Sequence, residues 1–106
     1  MPIFTAITAA EEIAENSFST FDINGRNIAV CRFRDEYFAI ENQCSHARST
    51  FDEGLMRGYR ITCPMHGATF DIRDGSVTGA PAKKPIRTFP LRLVDGLIEV
   101  NLSPNE

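Results

Sequence analysis

The stretch CSHARSTFDEGLMRGYRITCPMHG, residues 44–67, contains two of the three cysteines and both histidines of a chain of 106 residues. Its pattern is Cys44-x-His46, sixteen residues, then Cys63-x-x-His66. Four soft or borderline ligands in two pairs point to a transition metal. Structural zinc sites also use two Cys and two His, but they usually set Cys with Cys and His with His, about two to five residues apart. Here each pair is mixed. Mixing has a use where two metal ions lie side by side and each loop must reach both.

Outside this stretch the composition is that of one ordinary globular domain, with 42% hydrophobic and 24% charged residues. The N-terminal MPIFTAITAAEEIAENSF has no basic start and no continuous apolar run, so a signal peptide or membrane span is not expected and the chain reads as cytoplasmic. A net charge of −3 with scattered Lys and Arg argues against nucleic acid and favours a partner with a basic docking surface. Three cysteines without a secretion signal do not suggest a disulfide framework. Cys31, in the strand-like run IAVCRF, reads as a small buried hydrophobe.

The chain reads as all-β, in short strands divided by turn residues. SFSTFDI, Asn24-Gly25 and RNIAVCRF form a hairpin signature, because Asn-Gly accepts the two positive φ angles of a type I′ turn. Asp35-Glu36 and YFAIEN extend it to a three-stranded meander over residues 17–40, and LRLV, Asp95-Gly96 and LIEV predict a second hairpin. Residues 42–88 are rich in turn formers, with short strands expected at YRITC and ATFDI, and read as a small subdomain on a β base of residues 1–41 and 89–106. The one helical candidate, of one or two turns, is TAAEEIAENS, with Thr8 as cap and Glu11 at the capping-box position. GAPAKKPIRTFP, punctuated by Pro81, Pro85 and Pro90, is expected to be an ordered return path without strand.

The ligand pattern and its surroundings resemble the Rieske family, whose two loops read C-x-H and C-x-x-H with a gap of about this size. The resemblance includes Cys63-Pro64-Met65-His66-Gly67-Ala68-Thr69-Phe70-Asp71, the loop Gly79-Ala80-Pro81-Ala82 and the final Val-x-Asp-Gly-x-Ile-x-Val hairpin, about residues 28–101 in all. It implies an antiparallel β-sandwich base with an inserted cluster-binding subdomain and one 2Fe-2S cluster. Cys44 and Cys63 would bind one iron and His46 and His66 the other, two imidazoles in place of two thiolates raising the potential.

Respiratory and photosynthetic members place a further cysteine in each loop and join them; Ser49 and Met65 stand at those positions. Those members often have a serine and a tyrosine, donors to cluster sulfurs, where this chain has Ala68 and Phe70. Losing two donors predicts a potential in the lower part of the Rieske span of roughly −150 to +300 mV. The same departures are similar to the soluble ferredoxins of bacterial aromatic-ring dioxygenase systems, which take electrons from a flavin-containing reductase and pass them to a terminal oxygenase. An oxygenase proper needs a second site of two His and a carboxylate, and both histidines are already committed, so a carrier is expected and not an enzyme.

Three alternatives to a dioxygenase ferredoxin stay open: the ferredoxin of a different mono-oxygenase system, a small nitrite-reductase-like subunit, and a structural zinc module. Met65, Arg48 and Pro81 are candidates for a small docking patch near the imidazoles. Asp52, Glu53, Asp71 and Asp74 read as turn formers, Asp71 with a role in holding its loop through backbone N–H groups. Arg57 and Arg60 flank an expected Gly58-Tyr59 turn as exposed charges. Phe70 reads as core and as a shield of the cluster from water.

Overall fold

A computed structural model describes residues 3–44, 49–65 and 67–103. Its described elements are β1 (Thr5–Ala9), a single 3-10 turn (Ala10–Glu12), β2 (Ser17–Ile23), β3 (Arg26–Phe33), β4 (Glu36–Glu41), β5 (Leu55–Arg57), β6 (Arg60–Thr62), β7 (Thr69–Asp71), β8 (Val77–Gly79), β9 (Thr88–Phe89), β10 (Leu91–Val94) and β11 (Leu97–Val100). They form three antiparallel sheets, in the orders β1-β11-β10, β2-β3-β4-β9 and β5-β6-β7-β8. No helix among the described residues is long and apolar enough to cross a membrane.

The two Asx-Gly turns form as their chemistry requires. Asn24 and Gly25 take φ of 52° and 81°, and Asp95 and Gly96 take 50° and 79°, the paired positive angles of a type I′ hairpin. The register they set gives β3 its role. Side chains alternate across a strand, so Ile28 and Val30 enter one core while Ala29 and Cys31 enter the other. On β4, Ala39 joins the first core and Ile40 the second. The middle sheet is thereby covered on both faces. The base core lies against β1, β10 and β11 and holds Ile13, Ile98 and Val100. The other core lies against β5–β8 and holds Phe51, Ile61, Phe70, Ile72 and all three cysteines.

Four sequence expectations need correction. Thr8 caps no helix: it lies in β1 opposite Ile98, and only Ala10–Glu12 turn, with no side-chain cap. A nucleus this short gains little, whereas pairing with β11 satisfies the backbone of Thr5–Ala9 and lets Ile13 reach full burial. The second turn of the meander falls at Arg34-Asp35, one residue early, because Phe33 pairs with Glu36 and Arg32 with Tyr37. Phe33 packs edge-on against Tyr59 with ring centroids 4.8 Å apart, which holds that register. The return path is not wholly free of strand, since Thr88–Phe89 pair with Ile40 and Ala39 on the edge of β4. Finally, β5 and β8 flank the two strands expected between residues 42 and 88, and Gly79, assigned to a loop, closes β8.

Candidate metal centre

Both cysteines of the paired motif stand where a strand runs into a loop, Cys44 beyond β4 and Cys63 at the end of β6. The loops close alike. The Cys44 N–H donates to the Ser49 carbonyl at 2.8 Å, and the Cys63 N–H donates to the Ala68 carbonyl at 2.7 Å. Each cysteine is thus fixed at the mouth of a loop shut by a backbone bond to the residue five positions on. Gly54 brings the end of the first loop onto the sheet: a Cβ there would lie 2.1 Å from the Thr62 carbonyl oxygen, so only glycine allows the approach.

Both thiols are about 1% exposed, neither is in a disulfide, and they lie in one core. Burial pushes the Cys63 thiol above its ordinary pKa, and a hydrogen bond with the Cys44 thiol pushes it further; the Met65 backbone N–H and the Ser49 hydroxyl act the other way. Two free, buried thiols in one core fit a thiolate-binding metal group, which displaces the protons that burial otherwise retains. The wall is made by Ala68, Phe70 and Phe51, all fully buried, with the two phenyl rings edge to face at 5.7 Å. His46 and His66, the other two expected ligands, lie outside the described residues, as does Arg48.

Cys31 behaves differently. It shares this core but sits mid-strand on β3, opposite Phe18 and Phe38. Burial alone pushes its pKa up to about 12, so it is a neutral thiol packed as a hydrophobe.

Asn42 is a residue that sequence reasoning passed over. It is buried: its N–H donates to the Asn27 carbonyl at 2.9 Å, and its side-chain oxygen accepts from the Phe51 N–H at 2.8 Å. Its side-chain nitrogen donates to Asn27 Oδ1 at 3.2 Å and Asp52 Oδ2 at 3.4 Å. Asn42 therefore clasps the two ends of the first loop and pins them to the middle sheet. Asp52, read as a turn former, is the outer part of the clasp. It accepts from the hydroxyls of Thr50 at 2.6 Å and Thr20 at 2.7 Å, and these bonds hold its carboxyl below the usual range. The one signal in the sequence was an Asn two residues ahead of Cys44 of the paired motif.

The far side of the second loop is tied in another way. Asp71 accepts from the Arg73 N–H at 2.8 Å and from its guanidinium at 3.0 and 2.7 Å, which lowers its pKa and gives it the loop-holding role expected for it. That guanidinium lies 4.0 Å over the Tyr59 ring, and the Tyr59 hydroxyl donates to Glu36 on β4. Asp74 accepts from the Ser76 N–H, an ordinary turn contact. Of the docking candidates that are described, Met65 is half-exposed at 49% and Pro81 is partly buried.

Short strands carry two closed loops, each with a buried free cysteine at its mouth. The family model described as the Rieske [2Fe-2S] domain matches residues 4–90, and the chain belongs to that family. Among its relatives, the anthranilate 1,2-dioxygenase ferredoxin subunit of Burkholderia cepacia is 37% identical over 94 residues, 89% of this chain and 87% of that protein. The solved ferredoxin of carbazole 1,9a-dioxygenase from Nocardioides aromaticivorans IC177 superposes with a TM-score of 0.88 at 29% identity, covering 92% of this chain and 95% of that one. A further structure, described as a complex of reduced oxygenase and oxidized ferredoxin in carbazole 1,9a-dioxygenase, gives a TM-score of 0.89 at 26% identity, covering 95% and 94%.

Proposed function

We propose that this chain is the ferredoxin component of an aromatic-ring dioxygenase system, a one-electron carrier without a substrate site of its own. The observation that supports it most directly is the pair of buried, unbridged thiols of Cys44 and Cys63, in one core and at the mouths of two loops closed by the same kind of bond. The 2Fe-2S cluster, when bound, supplies a site that gains and loses a single electron. In this reading Cys44 and Cys63 hold one iron and His46 and His66 the other. The cluster-bearing unit is about residues 42–88, on a base of 1–41 and 89–106. A flavin-dependent reductase delivers the electron, a terminal oxygenase receives it, and the chain works in the cytoplasm.

The protein's own residues do three things. The Cys44–Ser49 and Cys63–Ala68 bonds set the two sulfurs in place before metal arrives. Phe51, Phe70 and Ala68 exclude water behind them, which favours the less charged forms. Ala68 and Phe70 also bring no hydroxyl to the sulfurs, which supports a potential in the lower part of the range of roughly −150 to +300 mV.

Purified protein should be red-brown, with about two irons and two sulfides per chain and an EPR signal seen only after reduction. His66→Cys should change or destroy that spectrum, and Cys31→Ser should leave it intact. A colourless protein with one zinc would end this reading.

A further inference from the structure

The net charge of −3 is unevenly shared. Residues 42–88 contain seven Lys and Arg against four Asp and Glu, a formal +3, while the rest of the chain contains four against ten, a formal −6. The end of the molecule with the cysteine loops therefore has the opposite sign from the whole, and the whole-chain charge misleads about what docks there.

Two of the seven basic residues, Arg57 and Arg60, lie on the outer face of the β5–β8 sheet. Met56, Ile61 and Phe70 turn inward, so their neighbours Leu55, Arg57, Arg60, Thr62 and Thr69 face solvent and line a shallow depression of about 340 Å³. Arg57 and Arg60 are exposed and lie directly opposite each other across the β5–β6 hairpin. Like charges in that position repel. Neither has a carboxylate within ion-pair distance among the described residues; Asp71, opposite Arg60 on β7, is bonded to Arg73 and feels Arg60 only at longer range. Beside them Leu55 is 64% exposed, among the largest exposures of any apolar side chain described. Thr62, at the other end of the same face, directly precedes Cys63. At about 3.3 Å per residue the arginine pair is about 10 Å along β6 from the cysteine, within one Debye length at about 0.1 M salt.

We propose that this face is the docking surface for an acidic patch, centred on an apolar residue, of a redox partner protein. Carboxylates of the partner would relieve the Arg57–Arg60 repulsion, its apolar residue would cover Leu55, and the negative base would repel the same patch and so orient the encounter. Such a contact is small, as suits a carrier that must leave after one electron. The proposal rests on the carrier reading, since it assigns the partner's purpose.

Its test is equilibrium binding of the iron-loaded full chain to fluorescein-labelled poly-L-glutamate, followed by fluorescence anisotropy at about 20 mM salt, where screening is weak. The double variant Arg57→Glu/Arg60→Glu should weaken binding about tenfold and flatten its salt dependence. The neutral pair Arg57→Gln/Arg60→Gln should fall between, and Arg26→Glu on the base should change affinity less than about twofold. Unchanged affinity in the double variant overturns the proposal. So does an equal loss from Arg26→Glu, because net charge alone would then account for the binding. A preparation without a reducible EPR signal would instead sink the carrier reading, which the titration does not measure.

Discussion

The two cores on either side of the middle sheet are built in contrasting ways. The base core is built mainly from strands of four to eight residues, two pairs of them joined by Asx-Gly turns, and is filled mostly by Ile, Val, Phe and Leu. The loop-side core lies under four strands of three residues each, includes three cysteines and three small alanines, and has its edges tied by Asn42, Asp52 and Asp71. Strands so short have little ladder of their own, so polar clasps and aromatic contacts hold what pairing cannot. The first core has no cysteine, whereas the second has Cys44 and Cys63 at the mouths of its two loops.

Substitutions on the two sides should separate these roles. The largest effect is expected from Phe70→Ala, which removes a fully buried ring from the loop-side core: a loss of about 3–5 kcal/mol in denaturant unfolding, with bleaching of the visible spectrum at lower denaturant. Ile98→Ala in the base core should cost about 2–5 kcal/mol but leave the spectrum of the folded protein unaltered. Equal spectral effects from both would show that the two cores are one unit.

Asn42→Ala leaves the Phe51 N–H without its acceptor and opens the first loop. A loss of about 1–3 kcal/mol is expected, together with faster iron release to a chelator. Asn42→Asp keeps an acceptor for the Phe51 N–H but loses the donor to Asn27 Oδ1 and Asp52 Oδ2, so it should recover only part of the retention; iron release from Asn42→Ala as slow as from the parent would show that the clasp is not what holds the loop.

Next in size is a change of potential. Ala68→Ser and Phe70→Tyr each place a hydroxyl near the sulfurs, and a hydrogen bond of about 1 kcal/mol to the reduced form raises the midpoint by about 40 mV. Voltammetry that finds both variants unmoved would remove the stated reason for a low potential.

The smallest effect concerns Asp52. Its folded pKa is below its unfolded value, so its contribution is present above the unfolded value of about 3.9 and is lost as pH falls through the lowered folded one. Because the carboxylate is exposed, the contribution is under about 1 kcal/mol. Asp52→Asn should lower stability at pH 7, and the gap to the parent should close in acid unfolding curves.

Much of the base was readable in advance, because its information is local. Asn24-Gly25 and Asp95-Gly96 specify hairpins by backbone chemistry, and the apolar run IAVC marks a strand buried on both faces. β1 was not readable, since Ala- and Glu-rich TAAEE favours helix locally and its pairing partner lies some ninety residues away. The clasp at Asn42 was hidden for the same reason: its partners Asn27, Phe51 and Asp52 come from different parts of the chain.

By itself the sequence determined the ligand candidates, the two hairpins and the absence of a cysteine pair at Ser49 and Met65, because each depends on residue type and short spacing. Only the tertiary structure decided that Cys44 and Cys63 enter one core with Cys31, and that Arg57 and Arg60 stand opposite each other on the outer face of the β5–β8 sheet. Those relations are set by how the strands pair and which faces of the three sheets pack together.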